Sequence, residues 1–216
     1  MADEDQAGSR PLLIMGGFGG GAEALEPLRE RLGQAGWSAW IVPAGRGLDH
    51  GELLVQRLIA ELEPVALAGG EPAVVVGHSR GGQVARAATR RRPELVAQLV
   101  TLASPLNRLF RVAPVARARV AATAVLGTLG APGLLHVECL WASCCRPYRA
   151  DLAAPFPAGV PFTSFYTRAD RVVPWRTSLD AGARHVEVDS SHDRIVVDDH
   201  VLDAVVGELL SRAARP

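Results

Sequence analysis

Val74-Val75-Val76-Gly77-His78-Ser79-Arg80-Gly81-Gly82 joins a β-branched run to a Gly-x-Ser-x-Gly motif and continues into a helix-compatible segment that ends near Arg92. A strand that stops at such a motif and turns straight into a helix is the sequence form of a nucleophile elbow. The turn is tight enough to strain the serine backbone, and the flanking glycines keep Cβ atoms from colliding where strand and helix pass. The expected outcome is a Ser79 hydroxyl held above a sheet edge, over a helix N-terminus.

Outward from this turn, short apolar segments alternate with helical ones, the pattern of a parallel sheet covered on both faces. Strands are expected near Leu12–Met15, Ala39–Val42, Ala73–Val76, Leu99–Leu102, Phe162–Tyr166 and His185–Val188. Helices are expected near Ala22–Gln34, Glu52–Leu62, Gly81–Arg91 and Asp199–Arg212. The fold class is therefore α/β, with about six mainly parallel strands. The basic run Arg90-Arg91-Arg92 falls in a last helical turn, where positive charge meets the negative end of the dipole. It is expected to be a solvated helix end and not a phosphate patch.

The rhythm breaks after the fourth strand. Nearly sixty residues separate Ser104 from Pro161, where a βα unit needs far fewer. This stretch, about residues 105–160, is expected to be a helical insert or lid over the site. It comprises a helix near Pro114–Leu129, a Gly130-Ala131-Pro132-Gly133 turn and a segment Leu134–Trp141. Val120, Val125, Leu126 and Leu129 are candidates to line an acyl site, and core packing accounts for them equally well. Residues 1–10 are expected to form a flexible tail, and residues 1–216 a single domain.

Composition narrows the chemistry. The chain has 216 residues, 48% hydrophobic and 21% charged, with a formal net charge of zero, values of a soluble globular protein and not of a nucleic-acid binder. All 23 basic residues are arginine, which excludes chemistry resting on a lysine amine, such as a Schiff base or a P-loop lysine. The acidic start, Met1-Ala2-Asp3-Glu4-Asp5, is unlike a secretory leader, and no apolar run approaches membrane-spanning length. A cytoplasmic location is expected. Cys139, Cys144 and Cys145 cluster with His136 as the nearest imidazole in sequence, so reduced thiols are expected and neither a metal nor a cofactor.

A serine hydroxyl needs a base to take its proton and a carboxylate to hold that base in the right tautomer. Of six histidines, His192 follows the last strand on a polar loop before the final helix, with His200 the runner-up. His78 adjoins the serine and is expected to point away, while His50, His136 and His185 lie off the strand ends. Asp170 leaves the C-terminal end of the preceding strand, whereas Asp189 and Asp193 sit very near His192 in sequence and Asp151 lies in the insert. Oxyanion donors are sought in the backbone N–H of Arg80 and in the loop Gly16-Gly17-Phe18-Gly19-Gly20-Gly21. That loop also satisfies the dinucleotide pattern G-x-G-x-x-A. The acidic residue such a site needs after the second strand is missing from Val42-Pro43-Ala44-Gly45.

These stretches, with Thr101-Leu102-Ala103-Ser104-Pro105 and Tyr166-Thr167-Arg168-Ala169-Asp170-Arg171-Val172-Val173-Pro174, resemble the compact esterase and lipase branch of the α/β-hydrolase superfamily, including small actinobacterial enzymes. The resemblance implies a reduced six-stranded fold, Ser79 as nucleophile, Asp170 as acid, His192 as base, and Phe18 with Arg80 as oxyanion donors. It implies hydrolysis of a small acyl ester or lipid without a cofactor. Thioester hydrolysis, acyl transfer and ligand binding without turnover remain the alternatives.

Overall fold

A computed structural model describes residues 10–106, 112–141 and 143–213. The expected tail therefore lies almost wholly outside the described residues, as do residues 107–111 and 142 of the insert. Six strands form one fully parallel sheet: β1 (Arg10–Met15), β2 (Trp37–Ile41), β3 (Ala73–His78), β4 (Val96–Leu102), β5 (Phe162–Tyr166) and β6 (Arg184–Glu187), in the order β2-β1-β3-β4-β5-β6. The helices are α1 (Glu26–Gln34), α2 (Gly51–Gly69), α3 (Arg80–Arg91), α4 (Pro114–Thr128), α5 (Arg146–Ala153) and α6 (Asp199–Ala213).

Successive strand residues point to opposite faces, and helices cover both faces, so the central strands are apolar on both. Leu13, Met15 and Val75 pack into one core layer with Leu54, Leu58 and Val84 of α2 and α3. Leu12, Ile14 and Val76 pack into the opposite layer with Leu28 of α1 and Val201 and Val205 of α6. The chain moves from β1 outward to β2, then returns across β1 to β3. Strand order thus reverses between β1 and β3, and their carboxyl ends open a crevice of the kind that binds ligands in such sheets.

Three elements differ from expectation. The expected helix Ala22–Gln34 divides into a 3₁₀ turn (Ala22–Leu25) followed by α1, because Pro27 has no N–H to give and is accommodated only in a first turn. α2 runs past Pro64 to Gly69 and stops at Gly70, whose φ of 66° supplies the left-handed cap. The segment Leu134–Trp141 holds only the 3₁₀ turn Val137–Leu140, while α5 forms just beyond it. Pro147 sits in the first turn of α5, and Tyr148 and Leu152, four residues apart, bury one side of it.

α3 carries a deeply buried ion pair. Arg86 Nε donates to Asp180 Oδ2 at 2.7 Å, with 3% and 6% of the two side chains exposed. Its other nitrogens donate to the carbonyls of Asp151 (2.8 Å) and Ala154 (2.9 Å) at the end of α5. One guanidinium thus ties α3 to the insert and to the segment before β6. Arg86→Ala strands a buried carboxylate and two carbonyls, so it is expected to lower unfolding free energy by about 3–5 kcal/mol in urea titration. The basic run nearby is less solvated than its sequence suggests. Arg91 lies between Glu52 (2.6 Å) and Asp151 (2.6 Å), and Arg92 pairs with Glu63 and Glu94.

Candidate active site

The turn after β3 has the strained form expected of it. Ser79 has φ 52° and ψ −123°, in the positive-φ region that non-glycine residues rarely occupy. Its N–H donates to Leu102 O at 2.9 Å, holding the turn against the end of β4. The two motif glycines are required by contact. A Cβ on Gly77 would sit 2.5 Å from Gly82 Cα, and one on Gly81 would run into the carbonyl of Met15.

Three loops, each at the carboxyl end of a different strand, converge on Ser79. The Ser79 hydroxyl donates to His192 Nε2 at 3.0 Å, and His192 Nδ1–H donates to Asp170 Oδ2 at 2.8 Å. The carboxylate fixes the tautomer: with Nδ1 protonated, Nε2 is left as the acceptor. Asp170 Oδ1 in turn accepts the backbone N–H groups of Val172 (2.8 Å) and Val173 (2.7 Å). The side chains of His192 and Asp170 are only 8% and 2% exposed, so this chain of hydrogen bonds is shielded from competing water.

Further bonds hold the histidine loop. Thr167 Oγ1 donates to Ser190 O at 2.8 Å, joining the acid's loop to the histidine's. Ser190 Oγ donates to Asp198 Oδ2 at 2.6 Å, joining that loop to the residues before α6. His78 does not point away from the site as expected. Its Nε2–H donates to the His192 carbonyl at 2.9 Å, and it lines the same cavity as Ser79. Burial pushes its imidazole down to about 4, with the neighbouring His192 the next cause, so it is neutral at pH 7. Sequence reasoning missed this contact, since the adjacency of His78 to Ser79 says nothing about a loop 114 residues away.

The other candidates fall elsewhere. His200 is exposed and its Nε2–H donates to Asp189 O at 2.8 Å. His185 donates to Asp180 O, and Asp151 is paired with Arg91. Beside His136, the one imidazole expected near the cysteines, a second is close: His50 Nδ1 lies 3.0 Å from Cys139 Sγ.

Ser79 and His192 open onto a cavity of about 350 Å³, within the ~300–1,000 Å³ usual for small-molecule sites. Its walls include Phe18, Leu25, Val112, Val120, Leu135 and Val196. Of the four insert residues named as acyl-site candidates, Val120 alone lines this cavity. Val125, Leu126 and Leu129 are exposed, belonging neither to the cavity nor to the core. The loop after β1 forms another wall, where a Cβ on Gly17 would sit 2.9 Å from Ser79 Cβ, so close approach demands glycine there. Arg80 is the first residue of α3, a position whose N–H has no partner within a helix. Its guanidinium donates to the carbonyls of Gly47 and, at 2.6 Å, Asp49.

Known proteins set this geometry in a family. Residues 49–159 match the family model described as the alpha/beta hydrolase fold, a span that holds Ser79 and ends before Asp170 and His192. Among solved structures the chain is similar to MGS-MChE2, an alpha/beta hydrolase enzyme from the metagenome of lagoon sediments at Mar Chica, Morocco. The TM-score is 0.65 at 20% identity, over 96% of this chain and 93% of the other. It is similar to the monoacylglycerol lipase of Paleococcus ferrophilus, with TM-score 0.65 and 18% identity over 95% and 96% of the two chains. It is also similar to the 2-hydroxy-6-oxo-6-phenylhexa-2,4-dienoate hydrolase of Rhodococcus sp. strain RHA1, with TM-score 0.64 and 18% identity over 96% and 91%. No curated protein sequence matches the chain. Among the described residues no helix is long and apolar enough to cross a membrane. With the family match covering half its length and a six-stranded sheet of the same architecture, the chain belongs to the α/β-hydrolase fold family.

Proposed function

We propose that the protein is a serine hydrolase that cleaves small carboxylic esters through an acyl-enzyme on Ser79. The observation that carries this reading is the unbroken chain Ser79–His192–Asp170 at the mouth of an apolar cavity. Ser79 Oγ attacks the ester carbonyl while His192 Nε2 takes the hydroxyl proton, and Asp170 stabilises the imidazolium that forms. The tetrahedral oxygen accepts backbone N–H groups of Arg80 and Phe18, each such donor worth roughly 3–4 kcal/mol in the transition state. His192 then passes its proton to the leaving oxygen and the alcohol departs. Water, deprotonated by His192, attacks the acyl carbon; the acid leaves and the proton returns to Ser79.

Cavity size and lining support a substrate with a short to medium apolar acyl group. The insert, with α4 and α5, serves as the cap that forms part of this wall. A fluorophosphonate probe, which mimics the tetrahedral intermediate, is expected to label the protein once per chain. Mass spectrometry of the digest should find the adduct on the peptide bearing Ser79. Labelling elsewhere, or none with folded protein, overturns the assignment.

A further inference from the structure

The insert brings a second cluster of reactive groups together, outside the Ser79–His192–Asp170 chain. His50 immediately precedes α2, Cys139 lies in the 3₁₀ turn Val137–Leu140, and Cys144 and Cys145 lie in the next turn, leading into α5. One imidazole nitrogen and three sulfurs all lie within 4.8 Å of one another. His50 Nδ1 is 3.0 Å from Cys139 Sγ, Cys144 Sγ is 3.5 Å from Cys139 Sγ, and the two adjacent sulfurs of Cys144 and Cys145 are 3.9 Å apart.

We infer that these four side chains form a Cys₃His site for a structural zinc ion. Zinc bound to thiolates at about 2.3 Å and imidazole nitrogen at about 2.0 Å in a tetrahedron sets ligand atoms roughly 3.5–3.8 Å apart. The observed separations bracket that edge. Three soft sulfurs and one imidazole suit zinc and disfavour magnesium or calcium, which take oxygen ligands. Four protein ligands close the coordination shell, the mark of a structural and not a catalytic zinc.

The surroundings suit the bound form. Zinc entering the site displaces three thiol protons, leaving a zinc–tristhiolate–imidazole group of charge −1. The backbone N–H of His136 donates to Cys139 Sγ at 3.4 Å. A backbone donor thus already faces one of the sulfurs. The metal joins the insert to α2 where Leu135 N–H also donates to Leu48 O at 2.7 Å. Cys139 and Cys145 line the Ser79 cavity, so zinc there fixes one of its walls. Consecutive cysteines hid the site from sequence reasoning, because the fourth ligand lies 89 residues away from Cys139.

The test is metal analysis of the full chain purified under reducing conditions, after addition of zinc and gel filtration. About one zinc ion per chain is expected. Cobalt should replace it with the thiolate-to-cobalt charge-transfer band and the intense ligand-field bands of a tetrahedral site. Cys144→Ser alters the one exposed cysteine, so it should keep the fold while losing the stoichiometric zinc and the cobalt spectrum. Wild-type protein without zinc and without the cobalt bands overturns the proposal. So does zinc retained in full by a folded His50→Ala, Cys144→Ser double variant, which would place the metal elsewhere. Loss of two free thiols to a disulfide in the metal-free protein, unaffected by zinc, overturns it as well. None of these outcomes depends on Ser79 being a nucleophile.

Discussion

Ser79→Ala is expected to lower kcat for a p-nitrophenyl ester by about 10⁶-fold, the scale seen when a serine nucleophile is removed from a triad that works as a unit. The loss belongs to chemistry and not to folding. Ser79 Oγ makes its hydrogen bond to His192, while the turn itself is held by the Ser79 N–H to Leu102 O and by the glycine contacts behind it. Alanine keeps the backbone groups and bears the same positive φ. Melting temperature and KM should therefore change little. The backbone donors proposed at Arg80 and Phe18 are unaltered by this substitution, so the variant is expected to keep roughly 10³–10⁴-fold catalysis over water. Turnover near the wild-type rate would remove Ser79 from the mechanism.

Asp170→Asn should cost about 10⁴-fold in kcat for a different reason. Asp170 divides its two oxygens between tasks: Oδ1 holds the N–H groups of Val172 and Val173, and Oδ2 takes the proton of His192 Nδ1. Asparagine can keep the first task with its carbonyl oxygen. Its amide then points N–H groups at Nδ1, which favours the imidazole tautomer protonated at Nε2. That nitrogen can no longer accept from Ser79. The expected signature is a large fall in kcat with KM and melting temperature nearly unchanged. A loss of stability equal to the loss of activity would instead assign Asp170 to loop structure alone.

Sequence carried the sheet and the strand ends that bear Ser79 and Asp170 because both are local. Val74-Val75-Val76 before Gly77, and Phe162–Tyr166 before Asp170, are strand ends that can be read without knowing what they pack against. The structure brings the three expected side chains, from three loops, within hydrogen-bonding reach. What stayed hidden depends on distant partners. α5 was masked by Pro147, a breaker in mid-helix but a starter in a first turn. Val125, Leu126 and Leu129 carry apolar side chains on a helix whose outer side the fold leaves exposed, and no local pattern announces that. His50 meeting the cysteines, and His78 meeting the His192 carbonyl, are products of tertiary folding alone.

β6 has only four residues, lies at the edge of the sheet and has no fully buried side chain, yet it leads through a four-residue stretch to His192. The sheet thus aims its least anchored strand at the position that demands the finest placement. Placement comes instead from the loop, through Thr167 to Ser190, Ser190 to Asp198 and His78 to the His192 carbonyl. The position of His192 is consequently set by a few polar anchors in loops and not by the packing of the strand that precedes it.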